Sequence, residues 1–219
     1  MQCRGTRSAH NRPVTGSPLF CGTSLAHRIE AAEAKLIVAA TEAARARGAR
    51  GLVIPVCGGF VCSAEDGSPM NKVVGLGFGG VPSAAAMDDA EQTLAGVGDA
   101  VQVELSNLAD PEVAALLSGR GYRLVGFENV LGRDLSAAAQ PVAPPGVEIH
   151  RGNDADIDVW VDAVVEGFAH PDDVGVPSHE EFPRDIVEKA ERDFEKAGAT
   201  TYVAMCDGAV AGGGGMRLT

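Results

Sequence analysis

The sequence predicts an α/β (α+β) protein of mixed sheets flanked by helices, built as two successive units of which the second is incomplete. Three observations predict this. Segments with helical spacing of apolar residues alternate with short β-type runs between residues 25 and 131. Residues 136–146 (SAAAQPVAPPG) are rich in Pro and Ala and read as an extended linker. After that linker the strand–helix pattern starts again and runs to Thr219. The expected organisation is a disordered tail over 1–18, a first unit over 19–135, the linker over 136–146, and a partial second unit over 147–219.

The first unit opens with an Ala-rich helix from Leu25 to Arg47. Ser24 is its expected N-cap, Arg45 and Arg47 suit its negative C-terminal end, and Gly48 stops it. Leu25, Ile29, Ala32, Leu36 and Ala40 recur at helical spacing and define its expected apolar face. Leu52–Cys57 and Phe60–Ser63 read as strands joined by the turn pair Gly58-Gly59. A polar turn over 65–69 leads to a glycine-weakened strand, Lys72–Phe78, and then to a helix from Asp88 to Gly96. Ala100–Leu105 is a predicted strand. Asp110 caps a helix that starts at Pro111, the favoured first-turn position for proline, and ends at Gly119 or Gly121. Tyr122–Leu131 is the predicted closing strand.

In the second unit Val147–His150 is a predicted strand, and Asp154 or Asp156 opens a helix to Phe168. An acidic, proline-containing loop over 170–178 precedes a charged helix from Glu180 to Ala197, ended by Gly198. Thr200–Cys206 and Ala209–Thr219 read as strands joined by Asp207-Gly208, a dipeptide suited to a tight hairpin turn.

Composition narrows the partners. Apolar residues make up 45% of the chain and aromatics only 5%, so the core must be built from Ala, Val, Leu and Ile. The net charge of −12 repels phosphate backbones, so neither nucleic acid nor an anionic membrane is an expected partner. No apolar run approaches the ~20 residues of a membrane span. Residues 1–18 carry Arg4, Arg7 and Arg12 without an acid, yet lack the apolar stretch of a secretory signal. Cys3, Cys21, Cys57, Cys62 and Cys206 are scattered, without the paired spacing of a zinc site. Reduced thiols in a cytoplasmic protein without a metal are expected.

The order of elements, with the stretches NKVVGLGFGG, VQVELSNLADPEV, GYRLVGFENVLGR and TYVAMCDGAVAGGGGMRLT, resembles the GNAT (Gcn5-related) N-acetyltransferase superfamily in its tandem two-domain form. The resemblance covers nearly everything after residue 18. It implies acetyl transfer from acetyl-CoA, as co-substrate, to an amine: a small molecule, a peptide N-terminus or a lysine. It places the acceptor beside the loop between the first two helices of the second unit, with Glu166, Phe168, His170 and Asp172, and neighbouring Asp173, as candidate substrate-binding residues. Glu166 reads equally as a solvated helix-end residue. The resemblance puts the donor turn of the second unit beyond Thr219, so no catalytic or cofactor-binding residue is assigned and a truncated chain is expected. In the first unit the corresponding place is 79–88 (GGVPSAAAMD), where Asp88 and Asp89 are expected to oppose a pyrophosphate. A glycine-rich final strand left at a sheet edge would favour a homodimer.

Competing readings rest on less. A non-catalytic GNAT-like binding or interaction module is the main alternative. Gly75 to Gly80 contains a literal G-x-G-x-x-G and suggests a dinucleotide binder, but Val81-Pro82 follows where that motif needs a helix. His170, Asp172, Asp173, His179, Glu180 and Glu181 resemble a metal cluster on paper, yet Pro183 stands where a metallopeptidase motif needs its second His. Trp160 is expected in a core, and the glycine run 212–215 is expected either at an open edge or under a closely approaching group.

Overall fold

The computed structural model describes residues 19–96, 98, 100–132, 134, 144–152, 157–170 and 182–219. Among these the fold is mixed α and β, with five helices and two antiparallel three-stranded sheets. The expected tail 1–18 and most of the expected linker lie outside the described residues.

Helix α1 (Thr23–Ala46) is followed by β1 (Leu52–Val56), β2 (Gly59–Ser63) and β3 (Lys72–Val74). These strands pair antiparallel in sequence order, with Val53 opposite Cys62 and Phe60 opposite Val74. The β1–β2 turn is Cys57-Gly58, one residue earlier than expected, and both residues have positive φ. Gly59 is therefore inside β2, where an added Cβ would come within 2.2 Å of the Val74 carbonyl oxygen. That close approach, rather than turn conformation, is what requires glycine at 59.

Alternation along these strands sorts their side chains between two cores. Cys62 and Val74, with Phe60 and Val53 at the margin, pack against Ala34, Ile37, Ala40 and Ala44 of α1. Val56, Val61 and Val73 pack on the opposite face, against Met87, Ala90 and Leu94 of α2 (Ala84–Ala95) and Val113 and Leu117 of α3 (Pro111–Gly119). The first sheet is thus covered by helices on both faces.

The buried stripe of α1 is Ala26, Ala34, Ile37, Ala40, Thr41 and Ala44. This is about one residue out of phase with the expected Leu25–Ile29–Leu36 stripe. Alanines face the sheet because α1 also packs against a helix of the second unit, leaving Leu25, Ile29 and Leu36 half-buried at its flanks. Its N-cap is Gly22, not Ser24, and no side chain caps it. Helix α2 starts at Ala84, ahead of the expected Asp88, because the Ser83 hydroxyl accepts from the Ala86 amide. Asp110 caps α3 as expected, accepting from the Glu112 amide at 3.0 Å.

Two predicted strands do not form. Residues 100–105 meet β3 through a single parallel bridge, Val73 to Val103. Pairing stops there because β3 ends at Val74, where the chain turns through positive φ at Gly75 and Gly77. Residues 122–132 have no regular structure. Leu124, Val125, Phe127, Val130 and Leu131 are exposed, so the β-type pattern there lacks the neighbouring strand that a ladder requires.

In the second unit β4 (Val147–Arg151), β5 (Thr200–Cys206) and β6 (Ala209–Met216) form the other sheet, in that order. The Asp207-Gly208 turn forms as expected, with both residues at positive φ. Helix α4 (Ile157–Ala169) packs on β5 and β6 through Trp160, Val161 and Val165. The Trp160 indole N–H donates to the Gly214 carbonyl at 3.1 Å, and an added Cβ at Gly213 would lie 3.0 Å from the indole ring. At Gly213 the closely approaching group is therefore Trp160. Helix α5 (Arg184–Lys196) gives Val187 to this core and Ala190 to the α1 core.

Cys21, Cys57 and Cys62 are free, whereas Cys206 is disulfide-bonded, so the expectation of a wholly reduced set does not hold. Among the described residues no helix is long and apolar enough to cross a membrane.

Candidate functional site

The single bridge between β3 and residues 101–105 fixes which way the neighbouring side chains point. The Val73 amide donates to Gln102, and the Glu104 amide donates to Val73. Val101, Val103 and Leu105 turn into the α2–α3 core. By alternation Gln102 and Glu104 turn to the opposite face, the face on which α1 lies. Lys72 shares that face through its pairing with Cys62. The Lys72 ammonium, in a residue only 9% exposed, donates to a Glu104 carboxylate oxygen at 2.5 Å.

Above this pair runs the N-terminal half of α1. Glu30, half-buried, and Glu33, exposed, continue the helical spacing of Ala26 toward Ile37, Ala40 and Ala44. Burial pushes the Glu30 carboxyl above its usual range, and the negative charges of Glu104 and Glu33 push it further. Burial and Glu104 likewise raise Glu33; Lys72 partly offsets this, and Glu128 adds to it. Glu33 keeps much of its side chain in solvent, so its shift is the less constraining of the two. One turn earlier on α1, His27 stacks on Phe78 with ring centres 5.0 Å apart and planes 10° from parallel.

The cluster therefore sets four carboxylates, Glu30, Glu33, Glu104 and Glu128, against one buried ammonium. Such an excess of negative charge attracts a cation. Glu30 and Glu33, raised in this way, also accept a proton more readily than free carboxylates, as removal of a proton from an ammonium group requires. Among the described residues no group of three or more His, Cys, Asp or Glu side chains is placed to hold a metal ion.

The glycine-rich loop after β3 is pinned. The Gly77 carbonyl accepts from the Asp110 amide at 2.9 Å, and an added Cβ at 77 would lie 2.5 Å from that of Ala109. The helix after this loop opens only beyond Pro82, and β1–β3 are antiparallel. Neither feature matches the parallel dinucleotide-binding unit suggested by Gly75 to Gly80. Asp88 and Asp89 do not stand at the start of α2, as expected for 79–88. They lie in its second turn, with Asp88 2.5 Å from the Arg120 guanidinium. Arg120 also grips both oxygens of Glu91, at 2.8 and 2.7 Å, and holds that carboxyl below its usual range. The Tyr122 hydroxyl donates to Glu91, and burial beside that carboxylate pushes the phenol up to about 12.

The described residues expected to border an acceptor loop stand at the end of α4. Glu166 and Phe168 are in the last turn of α4 and His170 follows it; all three are exposed. The His170 ring lies 3.4 Å from the Glu166 carboxylate, one helical turn away, as a solvated local pair. Asp172 and Asp173 lie outside the described residues, as do His179, Glu180 and Glu181. Sequence reasoning missed Glu30 and Glu33. Two acids on a stripe otherwise made of Ala and Ile were the available signal, visible only once the helix is phased through Ala26, Ala34 and Ile37.

Two shallow cavities of about 430 and 380 Å³ lie at the other end of α1. One is lined by Arg50, Glu65, Asp66 and Ile186, and the other by residues between Glu42 and Pro55. No known protein family, curated protein or solved structure matches this chain.

Proposed function

We propose that the protein is an N-acyltransferase of the GNAT type, taking acetyl-CoA as acyl donor and an amine as acceptor. In this reading the amine is held at Glu30, Glu33 and Glu104. The observation that carries the reading is the position of these carboxylates beside the one bridge where β3 and residues 101–105 run parallel and then part. The resemblance puts the donor turn of the first unit after β3, at 79–88. The order around it agrees: an antiparallel meander, a glycine loop, a helix, a parallel segment and a second helix.

The chemistry needs few groups. A bound ammonium gives a proton to a carboxylate, and the free amine then attacks the thioester carbonyl. A C–N bond forms, the C–S bond breaks, and the thiolate takes a proton as it leaves. In this reading Glu30 and Glu104 hold the cation and Glu30 receives its proton. Lys72 keeps Glu104 oriented.

The second reading is a non-catalytic module with the same ancestry. One observation favours it: the loop after β3 is closed onto Ala109 and Asp110 instead of leaving a cleft. Calorimetric titration with acetyl-CoA, followed by a thiol-release assay over a panel of primary amines and lysine peptides, separates the two. Saturable binding with amine-dependent thiol release supports the enzyme. Saturable amine binding without acetyl-CoA binding or thiol release selects the module, and binding of neither class of ligand overturns both.

A further inference from the structure

The two units meet through α1 and α5, and the composition of that contact is unusual. On the α5 side the buried residue is Ala190, with Phe194 and Ala197 half-buried beside it, and these join the cluster that Ala40 and Ala44 of α1 share with Ile37, Cys62, Met70 and Val74. Small side chains let two helices approach closely but remove little apolar surface from water. At the rim of this thin apolar contact sits a charge cluster. Arg47, the C-cap residue of α1, directs its Nε to both carboxylate oxygens of Asp193 at 3.0 and 3.1 Å, and its Nη2 to one of them at 3.0 Å. Asp193 is 2% exposed. The same guanidinium pairs with Glu65, whose carboxylate lies 3.6 Å from the Lys189 ammonium on α5.

We propose that the α1–α5 contact is a latch: a separable docking of the β4–β6 unit onto the β1–β3 unit, locked by the Arg47–Asp193 pair. The β1–β3 unit has a core of its own on its α2–α3 face and the β4–β6 unit has one between α4 and the second sheet, while the α1 core is completed by Ala190 of α5. The contact joining them is lined by alanine and closed by charge. A buried carboxylate that loses its partner is costly, so the lock holds only when both residues are present. The guanidinium fork fixes the docking angle, because a bidentate pair tolerates little rotation. The shallow cavity lined by Arg50, Glu65, Asp66 and Ile186 lies along this seam and widens if the latch opens.

The test uses the full chain. Small-angle scattering gives the radius of gyration, and calorimetry gives the number of melting transitions. The unaltered protein is expected to be compact and to melt in one transition. Arg47→Met and Asp193→Asn are expected to enlarge the radius below the melting temperature and to split the melt into two transitions. Arg47→Lys keeps the charge but loses the fork, and is expected to fall between these results. It also serves as the folded probe if the other variants aggregate. An unchanged radius with a single transition in Arg47→Lys and in whichever other variants fold would overturn the latch, whether or not that transition moves to lower temperature.

Discussion

Single side chains in this protein matter most where a backbone has no room or a carboxylate has no water. Gly59 is the sharpest case of the first kind. Gly59→Ala would drive a Cβ into the Val74 carbonyl, and we expect a loss of about 3 kcal/mol in urea unfolding. Asp110→Ala removes the cap of α3 and should cost about 1 kcal/mol by the same measurement. Glu30 illustrates the second kind. Its carboxyl is raised by burial and by two neighbouring carboxylates, so Glu30→Gln relieves repulsion in the folded protein. That variant should be as stable as the parent or slightly more so at pH 7, and should bind primary amines several-fold more weakly. Unchanged amine affinity would remove Glu30 from the proposed site. Of these residues Asp110 was legible in the sequence, because a cap acts within one turn of chain. Glu30 was not, because its environment depends on which way α1 faces.

At the scale of elements, the difference between residues 100–105 and a true strand is informative. The segment has the right alternation, with Val101, Val103 and Leu105 inward, yet it keeps only one bridge. Glu104→Pro would remove the amide that donates to Val73 and also the partner of Lys72. We expect it to detach the segment, exposing the Val103 and Leu105 core to hydrogen exchange while the α4–β6 core keeps its protection. Residues 122–132 teach the same lesson more strongly. Apolar β-type residues form a strand only when an edge is offered to them, and Leu124, Phe127 and Leu131 stand in solvent. Helix α1 was legible as a helix from its alanines and its arginine-rich end. Its phase was not, because helix–helix packing against α5 competed with sheet packing for the same residues.

For the whole molecule the governing feature is a set of acids whose protonation folding favours, in a chain of net charge −12. Burial pushes Glu191 up to about 7, and it raises Glu30, Glu33 and Asp193 as well. A carboxyl whose folded pKa lies above its unfolded value binds more protons when folded. Its contribution is fully present below the unfolded pKa and is lost as pH rises through the folded one. For Glu191 that window runs between the usual glutamate value of 4.5 and about 7. Stability should therefore be higher at pH 6 than at pH 8, by about 1 kcal/mol in urea midpoints. Glu191→Gln should flatten most of that slope. A slope of opposite sign would mean that Glu191 is paired with a cation in the native protein.

The sequence by itself determined the mixed α and β class, the two successive sets of elements, the Asp207-Gly208 turn and the Asp110-Pro111 helix start. All of these are set by periodicity and by residues close to one another in the chain. Only the tertiary structure decided that residues 101–105 stop at one bridge, that α1 turns Glu30 and Glu33 toward Lys72 and Glu104, and that α5 packs against both units. Those outcomes depend on which surfaces meet between residues 32 to 146 apart in the chain, where small side chains leave several packings open and burial of charge selects among them.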